Sequence, residues 1–313
     1  MTNDGQNNTE SQNAPVTAAM WLEGARLRTL PAAAAPVAVG IGAAIQLGGF
    51  SWVRSLLALA VALALQVGVN FANDYSDGVR GTDANRVGPT RLTASGAVSP
   101  RRVLALALVF FAIAAVAGLV LVILSAQWWL LAVGALAILA AWFYTGGKRP
   151  YGYSGYGQSE LMVFVFFGLV ATLGTTWVQV QSAPAWLWAG AAGAGFMSVA
   201  LLLVNNIRDI PTDSEVGKTT LAVRLGDWPS RVWYQAVTMS AAVCGGLAAG
   251  GAQLYLTGGA LVMLILGICA IVIAQPLLRG ATGIQLLPVL RWTGLLTLLY
   301  GILVGVAVAL PLR

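Results

Sequence analysis

Residues 73–83 of the 313-residue chain read NDYSDGVRGTD and follow a long apolar run. This segment gathers three of the eleven carboxylates, Asp74, Asp77 and Asp83. A second segment, residues 205–213, reads NNIRDIPTD and also ends an apolar run. A carboxylate within a membrane helix costs about 2.5–3.5 kcal/mol at the helix centre and less near the interface. Two acidic segments at matched positions therefore indicate a functional site, for which the rest of the chain is the scaffold.

The composition is that of an integral membrane protein. Hydrophobic residues make up 58% of the chain and charged residues 9%, with a mean hydropathy of +0.80, whereas soluble domains carry about 25% charged residues. The polar residues 1–20 are predicted to be a disordered tail, and residues 21–313 a single transmembrane domain. Apolar runs predict an all-α bundle of nine membrane helices, at about 31–49, 54–74, 102–124, 128–145, 160–180, 185–207, 232–252, 255–276 and 292–311.

The cations predict how the chain lies in the membrane. Of the 17 Lys and Arg residues, all but Arg54 and Arg313 fall on one side of the predicted spans. The positive-inside rule places that side, with the N-terminus, in the cytoplasm. We therefore expect a multi-pass protein of the cytoplasmic (inner) membrane, in contact with the lipid bilayer, whose active-site cavity opens on the cytoplasmic side. The net charge of +6 reflects this topology, so we infer no binding of nucleic acid.

The residue types restrict the chemistry. The chain has no histidine, and its two cysteines, Cys244 and Cys269, lie inside apolar runs. A zinc site, a histidine base and a Ser-His-Asp triad are therefore not expected. A bound metal would need oxygen ligands, which favours Mg²⁺, Ca²⁺ or Mn²⁺.

Helical spacing would bring the polar residues of each segment together. Side chains three or four residues apart share a helix face, which applies to Asp77 with Asp74, Asn73 and, one turn further, Asn70. In the second segment, Asn205, Asp209 and Asp213 recur every four residues. Pro211 is expected to end or kink that helix between the two acids.

The alternation of acids and cations predicts a diphosphate site. Mg²⁺ is usually bound by one or two carboxylates together with substrate phosphate oxygens. Two acidic segments that face each other could hold a metal-bridged diphosphate, with Arg91, Lys218 and Arg224 neutralising the remaining charge. Diphosphate leaves readily only when its developing charge is stabilised.

The motifs resemble those of the UbiA superfamily of intramembrane aromatic prenyltransferases, in the form found in the menaquinone branch. The similarity covers about residues 21–226, while the last three spans match only in hydropathy and number. The matching segments are ARLRTLP (25–31), NDYSDGVRGTD (73–83), GPTRL (88–92), YTGG (144–147) with Gly152 and Tyr153, NIRD (206–209) and GKTTLAVRLG (217–226).

The resemblance implies a reaction. Two Mg²⁺ ions would bridge the acidic segments to a polyprenyl diphosphate, ionisation would give an allylic cation, and the ring of 1,4-dihydroxy-2-naphthoate would attack it with loss of CO₂. The implied catalytic residues are Asp77, Asp209, Lys148 and Tyr144, the last two holding the acceptor. The implied metal ligands are Asn73, Asp74, Asp77, Asp83, Asp209 and Asp213. The implied donor-binding residues are Asn70, Asn206, Arg91, Lys218 and Arg224.

The chain departs from the family pattern twice. Gly81 stands where the first motif often has a further Asp, and Asp83 is the candidate to replace it. Relatives place an acid directly after the Gly-x-Gly of Gly155 and Gly157, whereas here Gln158 and Ser159 come before Glu160.

Two alternatives remain at this stage. The same fold could prenylate another acceptor, such as 4-hydroxybenzoate. A divalent-cation transporter would also need acids in helices, but transport sites lie near the bilayer midplane. Here the acids lie at helix ends next to Lys and Arg, which would repel a cation.

Overall fold

The computed structural model describes residues 17–81, 91–253 and 256–310, and within them every secondary-structure element is helical. Short 3₁₀ turns precede α2, α6 and α12, and a π-helical turn at Val165–Val170 joins α6 to α7. The helices are α1 (Ala18–Ala25), α2 (Leu30–Gln46), α3 (Trp52–Arg80), α4 (Pro100–Ser125), α5 (Leu130–Thr145), α6 (Gln158–Phe164), α7 (Ala171–Val180), α8 (Ala185–Glu215), α9 (Leu221–Leu225), α10 (Asp227–Gln253), α11 (Leu256–Leu278) and α12 (Leu287–Ala309).

Eight helical segments of the described residues are long and apolar enough to cross a membrane, with α1–α2 and α6–α7 each forming one segment. The chain is therefore a multi-pass membrane protein. The remaining predicted span, residues 128–145, corresponds to α5, which is apolar but has only 16 residues. Helical structure begins at Ala18, before the predicted domain start at residue 21, because the Thr17 side chain caps α1 by accepting the Met20 amide.

Helix α3 is longer than predicted and carries residues 73–80 of the first acidic segment on regular helix. Its first turn is capped by Ser51, whose side chain accepts the Arg54 amide. It ends at Arg80 because Gly81 adopts a left-handed conformation (φ 74°), which glycine tolerates and which stops a helix. Arg54 and Asp77 consequently lie at opposite ends of one helix. The side chain of Arg54 donates to the carbonyl of Leu124 (2.7 Å), which ties the start of α3 to the end of α4.

Pro211 does not end helix α8, which was one of the two outcomes expected there, because the helix continues through it to Glu215. A proline inside a helix removes one backbone hydrogen bond. Side chains of the last turn add hydrogen bonds at this point: the Thr212 hydroxyl donates to the Asp209 carbonyl (3.1 Å) and the Ser214 hydroxyl to the Ile210 carbonyl (2.6 Å).

Small residues allow the central helices to pack backbone against backbone. A Cβ on Gly42 of α2 would collide with the backbone of Gly305 in α12, and one on Gly301 with Ala35. Such contacts drive helix association where lipid removes the hydrophobic force between helices. One buried cluster joins α2, α8, α10, α11 and α12, and a second joins α3 and α4 around Phe71.

Candidate active site

A cavity of about 590 Å³ lies among α2, α3, α4, α5, the α6–α7 segment and α8. Cavities of about 300–1,000 Å³ hold small organic ligands. Much of its wall is apolar and includes Val61, Leu65, Ile138, Phe166 and Val170. Side chains of both acidic segments line it. Its polar lining includes Arg26, Thr29, Gln66, Asn70, Asn73, Asp77, Arg91, Tyr144, Thr145, Tyr151, Tyr153, Asn205, Asn206, Asp209 and Lys218.

Helix α3 presents one polar stripe to this cavity. Asn70, Asn73 and Asp77 follow the helical spacing of three and four residues, and all three are buried. The Asn70 amide donates to the Ala25 carbonyl (2.8 Å), which ties the stripe to the end of α1. The Asn73 side-chain oxygen accepts the Thr145 hydroxyl (2.7 Å). These contacts fix the orientation of both amides beside Asp77.

Asp74 is a neighbour of this stripe in sequence but not part of the cavity lining. It is fully buried, and its two oxygens accept the backbone amides of Leu92 (3.0 Å) and Thr93 (2.8 Å). A carboxylate that accepts two backbone amides holds the chain that follows residue 90 against α3. These contacts give Asp74 a structural role, and the metal-ligand role that the resemblance implies for it stays a prediction.

In the second segment, Asp209 lines the cavity and forms an ion pair with the residue before it. Arg208 donates from Nε and Nη2 to the two oxygens of Asp209, each at 2.7 Å. Both residues are buried. A bidentate pair fixes the plane of the carboxylate and partly neutralises it. Asn205 and Asn206 line the cavity on the same helix.

Asp213, one turn beyond Asp209, is not among the lining residues. Its carboxylate lies 3.4 Å from the Lys218 amine, and its carbonyl accepts the Lys218 amide (2.8 Å). The Lys218 side chain lines the cavity. Asp213 therefore holds Lys218 in place without lining the cavity itself.

Tyr153 joins the two halves of the site. Its hydroxyl donates to Asp77 of the first segment. Its ring lies 5.3 Å from the Lys218 amine and 5.6 Å from the Arg80 guanidinium, within cation–π range. Arg80 in turn donates to the Thr145 carbonyl. The connection between α5 and α6 is thus held between α3 and the chain that follows α8.

The aromatic part of the lining comes from the end of α5 and the turn after it. The rings of Tyr144 and Tyr151 meet edge to face at 5.6 Å. The Tyr151 hydroxyl donates to the Ala140 carbonyl (2.8 Å), and burial raises the pKa of Tyr151 to about 12. This phenol is therefore neutral at physiological pH, and its ring offers a flat apolar surface to a ligand.

Two more predicted site residues, Lys148 and Arg224, do not line this cavity. Lys148 is exposed and is not among the lining residues. Arg224 instead stacks on the exposed ring of Tyr156, at 3.9 Å from the ring centroid. Asp83 lies outside the described residues. Both Lys148 and Arg224 lie in or beside motifs that match the family. The chain, however, turns away from the cavity before it reaches either residue.

The sequence reasoning missed three residues as site members. Arg26 lines the cavity from the junction of α1 and the following turn, and Arg208 pairs with Asp209. Tyr153 was identified only as part of the motif that includes YTGG, without a role. The signal for Arg26 was its place in the ARLRTLP motif, but nothing local in the sequence indicated the pairing of neighbouring Arg208 and Asp209.

The donor set fits Mg²⁺ bound together with a substrate phosphate. Among the described residues, no three acidic side chains gather as a metal cage. Asp77, Asp209 and Asn73 instead offer hard oxygens in the cavity lining, and Lys218 adds positive charge. Mg²⁺ typically takes one or two carboxylates and completes its shell with water and phosphate oxygens.

Comparisons with known proteins show which proteins the chain is similar to. The chain is 50% identical over 294 residues to the 1,4-dihydroxy-2-naphthoate octaprenyltransferase of Mycobacterium tuberculosis, covering 93% of this chain and 97% of that protein. It is 37% identical over 230 residues to the enzyme of the same name from Escherichia coli, covering 72% and 74% of the two chains.

Solved structures share the fold. A UbiA homologue from Archaeoglobus fulgidus bound to GPP and Mg²⁺ aligns with a TM-score of 0.69 at 14% identity, over 93% of this chain and 100% of that one. The apo UbiA homologue from Aeropyrum pernix aligns with a TM-score of 0.65 at 18% identity, over 89% and 96%. The model of the UbiA prenyltransferase family matches residues 33–283. With this match and the level of identity to the relatives, the chain belongs to the UbiA prenyltransferase family.

Proposed function

We propose that the protein transfers a polyprenyl group from polyprenyl diphosphate to 1,4-dihydroxy-2-naphthoate, with release of diphosphate and CO₂. The observation that carries this proposal is a single cavity whose lining combines acids of both segments with an extensive apolar wall. Such a cavity suits a ligand with a charged head and a hydrocarbon tail. The choice of acceptor rests on the 50% identity to a relative that is named for it.

The chain supplies charge and position in this reaction. Lys218 and Arg91 would bind the diphosphate, and Asn73, Asp77 and Asp209 would hold two Mg²⁺ ions, which would neutralise the charge of the leaving group. The apolar wall excludes water, and this protects an allylic cation from hydrolysis. Arg208 keeps the Asp209 carboxylate in one orientation, and Tyr153 does the same for Asp77.

The bonds balance without a redox partner. The C–O bond of the donor breaks, and its electron pair leaves with diphosphate. The carboxyl-bearing ring carbon forms the new C–C bond to the prenyl carbon. The bond from that carbon to the carboxylate then breaks, CO₂ leaves, and the electron pair restores the aromatic ring. The product is a prenylated naphthohydroquinone that lacks the carboxylate.

The proposed setting is the cytoplasmic membrane, with nine spans if α5 crosses it as the ninth. The N-terminus and the acidic segments would face the cytoplasm. The support is the cation asymmetry of the sequence together with the position of Asp77 and Arg54 at opposite ends of α3. Cysteine labelling from each side of sealed vesicles, at positions 54 and 148 in turn, tests this orientation, because the two sites should react from opposite sides.

The direct test of the activity is mass spectrometry of the product. Purified protein in lipid would be given Mg²⁺, a polyprenyl diphosphate and equimolar 1,4-dihydroxy-2-naphthoate and 4-hydroxybenzoate. We expect prenylated naphthohydroquinone and release of CO₂. Prenylated hydroxybenzoate alone would keep the family and overturn the acceptor. Flux of Mg²⁺ into protein-containing vesicles without product would favour the transport alternative.

A further inference from the structure

A second, smaller cavity adjoins the polar end of the first and is rich in arginine. It measures about 40 Å³, and its lining comprises Glu23, Gly24, Arg26, Arg28, Thr29, Asp74, Arg91, Asn205, Arg208 and Leu290. Arg26, Thr29, Arg91 and Asn205 also line the large cavity. The two spaces therefore share a wall of two arginines, and a ligand in the large cavity can extend a small group towards the smaller one.

The charges at this junction favour an anion. Four arginines and two carboxylates line this junction, and Arg28, Arg91, Arg208 and Asp74 all have partners in the protein. Arg208 is bound to Asp209 through two hydrogen bonds, and Asp74 accepts the amides of Leu92 and Thr93. The junction thus has a net positive charge. Because it is partly buried, the attraction between an anion and a guanidinium is stronger there than in water.

Arg26 carries the clearest sign of a missing ligand. Its Nη2 atom is buried and has no hydrogen-bond partner among the described residues. A buried N–H group without a partner destabilises the protein, and more so when it is charged. The backbone of Arg26 is fixed independently of this side chain. Its amide donates to the Glu23 carbonyl (3.0 Å) and its carbonyl accepts the Thr29 amide (2.8 Å).

We propose that Arg26, at this junction, binds the carboxylate of the aromatic acceptor. This inference rests on the proposed function and assigns a residue to the substrate group that sequence reasoning had given to Lys148. With the carboxylate at Arg26, the ring would lie in the large cavity beside Asp77 and Asp209, where the prenyl carbon is released. The carboxylate leaves as neutral CO₂, so the product loses this ion pair. Arg26 therefore distinguishes the substrate from the product.

The experiment compares ligands with and without the carboxylate. Arg26→Gln removes the charge, and Arg26→Lys keeps it without the paired N–H groups. Arg149→Gln is the matched control, since Arg149 is exposed and lines neither cavity. Equilibrium binding of 1,4-dihydroxy-2-naphthoate and of 1,4-dihydroxynaphthalene would be measured by calorimetry, and the KM of the prenyl donor in parallel.

We expect Arg26→Gln to weaken binding of the naphthoate by about 10- to 100-fold, the range for a hydrogen bond to a charged group. Arg26→Lys should recover part of this loss, and binding of the carboxylate-free ring should stay within about twofold of the parent protein for every variant.

Three results would overturn the assignment. A raised donor KM with unchanged naphthoate binding would mean that Arg26 binds phosphate. Equal losses for both rings would mean a structural role. Unchanged binding of the naphthoate in Arg26→Gln, in a parent protein that turns it over, would refute this inference alone. If the parent protein did not turn over the naphthoate at all, the proposed function itself would fail.

Discussion

The Tyr153 hydroxyl donates a hydrogen bond to Asp77, and this contact joins the turn between α5 and α6 to the first acidic segment. The same ring lies 5.3 Å from the Lys218 amine, which belongs to the second half of the site. A single tyrosine thus touches a carboxylate proposed to hold metal and a cation proposed to bind phosphate. The loop that carries it therefore sets the distance between the two halves.

Loss of the Asp77 charge should nearly abolish turnover. Asp77→Asn keeps the shape of the side chain, and its amide oxygen can still accept the Tyr153 hydroxyl, so folding should be preserved. We expect kcat to fall by at least about 10²-fold, the scale for removal of a group that stabilises developing charge. Steady-state kinetics at saturating Mg²⁺, with thermal unfolding in detergent as the control for folding, would measure this. Activity near that of the parent protein would contradict the role.

Asp209→Asn should lose activity on a similar scale, but with a further cost in stability. The substitution leaves the buried Arg208 guanidinium without a charged partner, and breaking a buried ion pair typically costs about 3–5 kcal/mol. The double variant Arg208→Met/Asp209→Asn should regain part of the thermal stability without regaining turnover. Recovery of activity in the double variant would show that the Asp209 charge is not needed.

Tyr153→Phe should weaken the site without destroying it. The variant keeps the ring beside Lys218 and loses only the hydrogen bond to Asp77, which is worth about 1.5–3 kcal/mol because its acceptor is charged. We expect the Mg²⁺ concentration for half-maximal activity to rise by about tenfold. Direct binding of Mn²⁺ should weaken as well. Tyr156→Phe, whose ring is exposed, is the control. A change in kcat alone, with unaltered metal binding, would assign Tyr153 to another step.

Lys218 and Arg224 should differ, although the sequence motif treats them alike. Lys218 lines the cavity, whereas Arg224 stacks on Tyr156 away from it. Lys218→Ala should raise the KM of the prenyl donor by about tenfold or more, as expected for loss of a charge-assisted hydrogen bond. Arg224→Ala should change it by less than about threefold. The reverse order would mean that Arg224 reaches the diphosphate in the substrate complex.

Asp74→Asn tests the structural role of this acid. The amides of Leu92 and Thr93 bind different oxygens of Asp74, and Asn replaces one of these oxygens with an NH2 group that cannot accept. One buried N–H therefore loses its partner, at a cost of about 1–3 kcal/mol. We expect lower thermal stability and faster proteolysis in the segment that follows α3, measured by limited digestion and mass spectrometry. Normal stability together with a large rise in the Mg²⁺ requirement would restore Asp74 as a metal ligand.

The sequence by itself determined the class of fold and the polar stripe of α3. Membrane helices satisfy their backbone hydrogen bonds internally, so hydropathy and length locate them without knowledge of their partners. The spacing of Asn70, Asn73 and Asp77 is also a local property, because the α-helix repeats every 3.6 residues. The ends of α3 and α8 were predicted too early, since a run of polar residues was taken to end a helix that in fact continues through Asp77 and Pro211.

Only the tertiary structure decided which polar residues meet. Asp74 accepts the amides of residues 92 and 93, and Lys148 and Arg224 lie outside the cavity. Spacing could not predict this, because the path of each connecting segment depends on contacts distant in sequence. Tyr153 and Arg26 enter the site for the same reason: each lies at a turn whose direction is set by its neighbours, with Arg80 holding the α5–α6 turn and Asn70 the end of α1. Local spacing predicts which residues share one face of a helix. Long-range packing decides which residues of other segments contact that face.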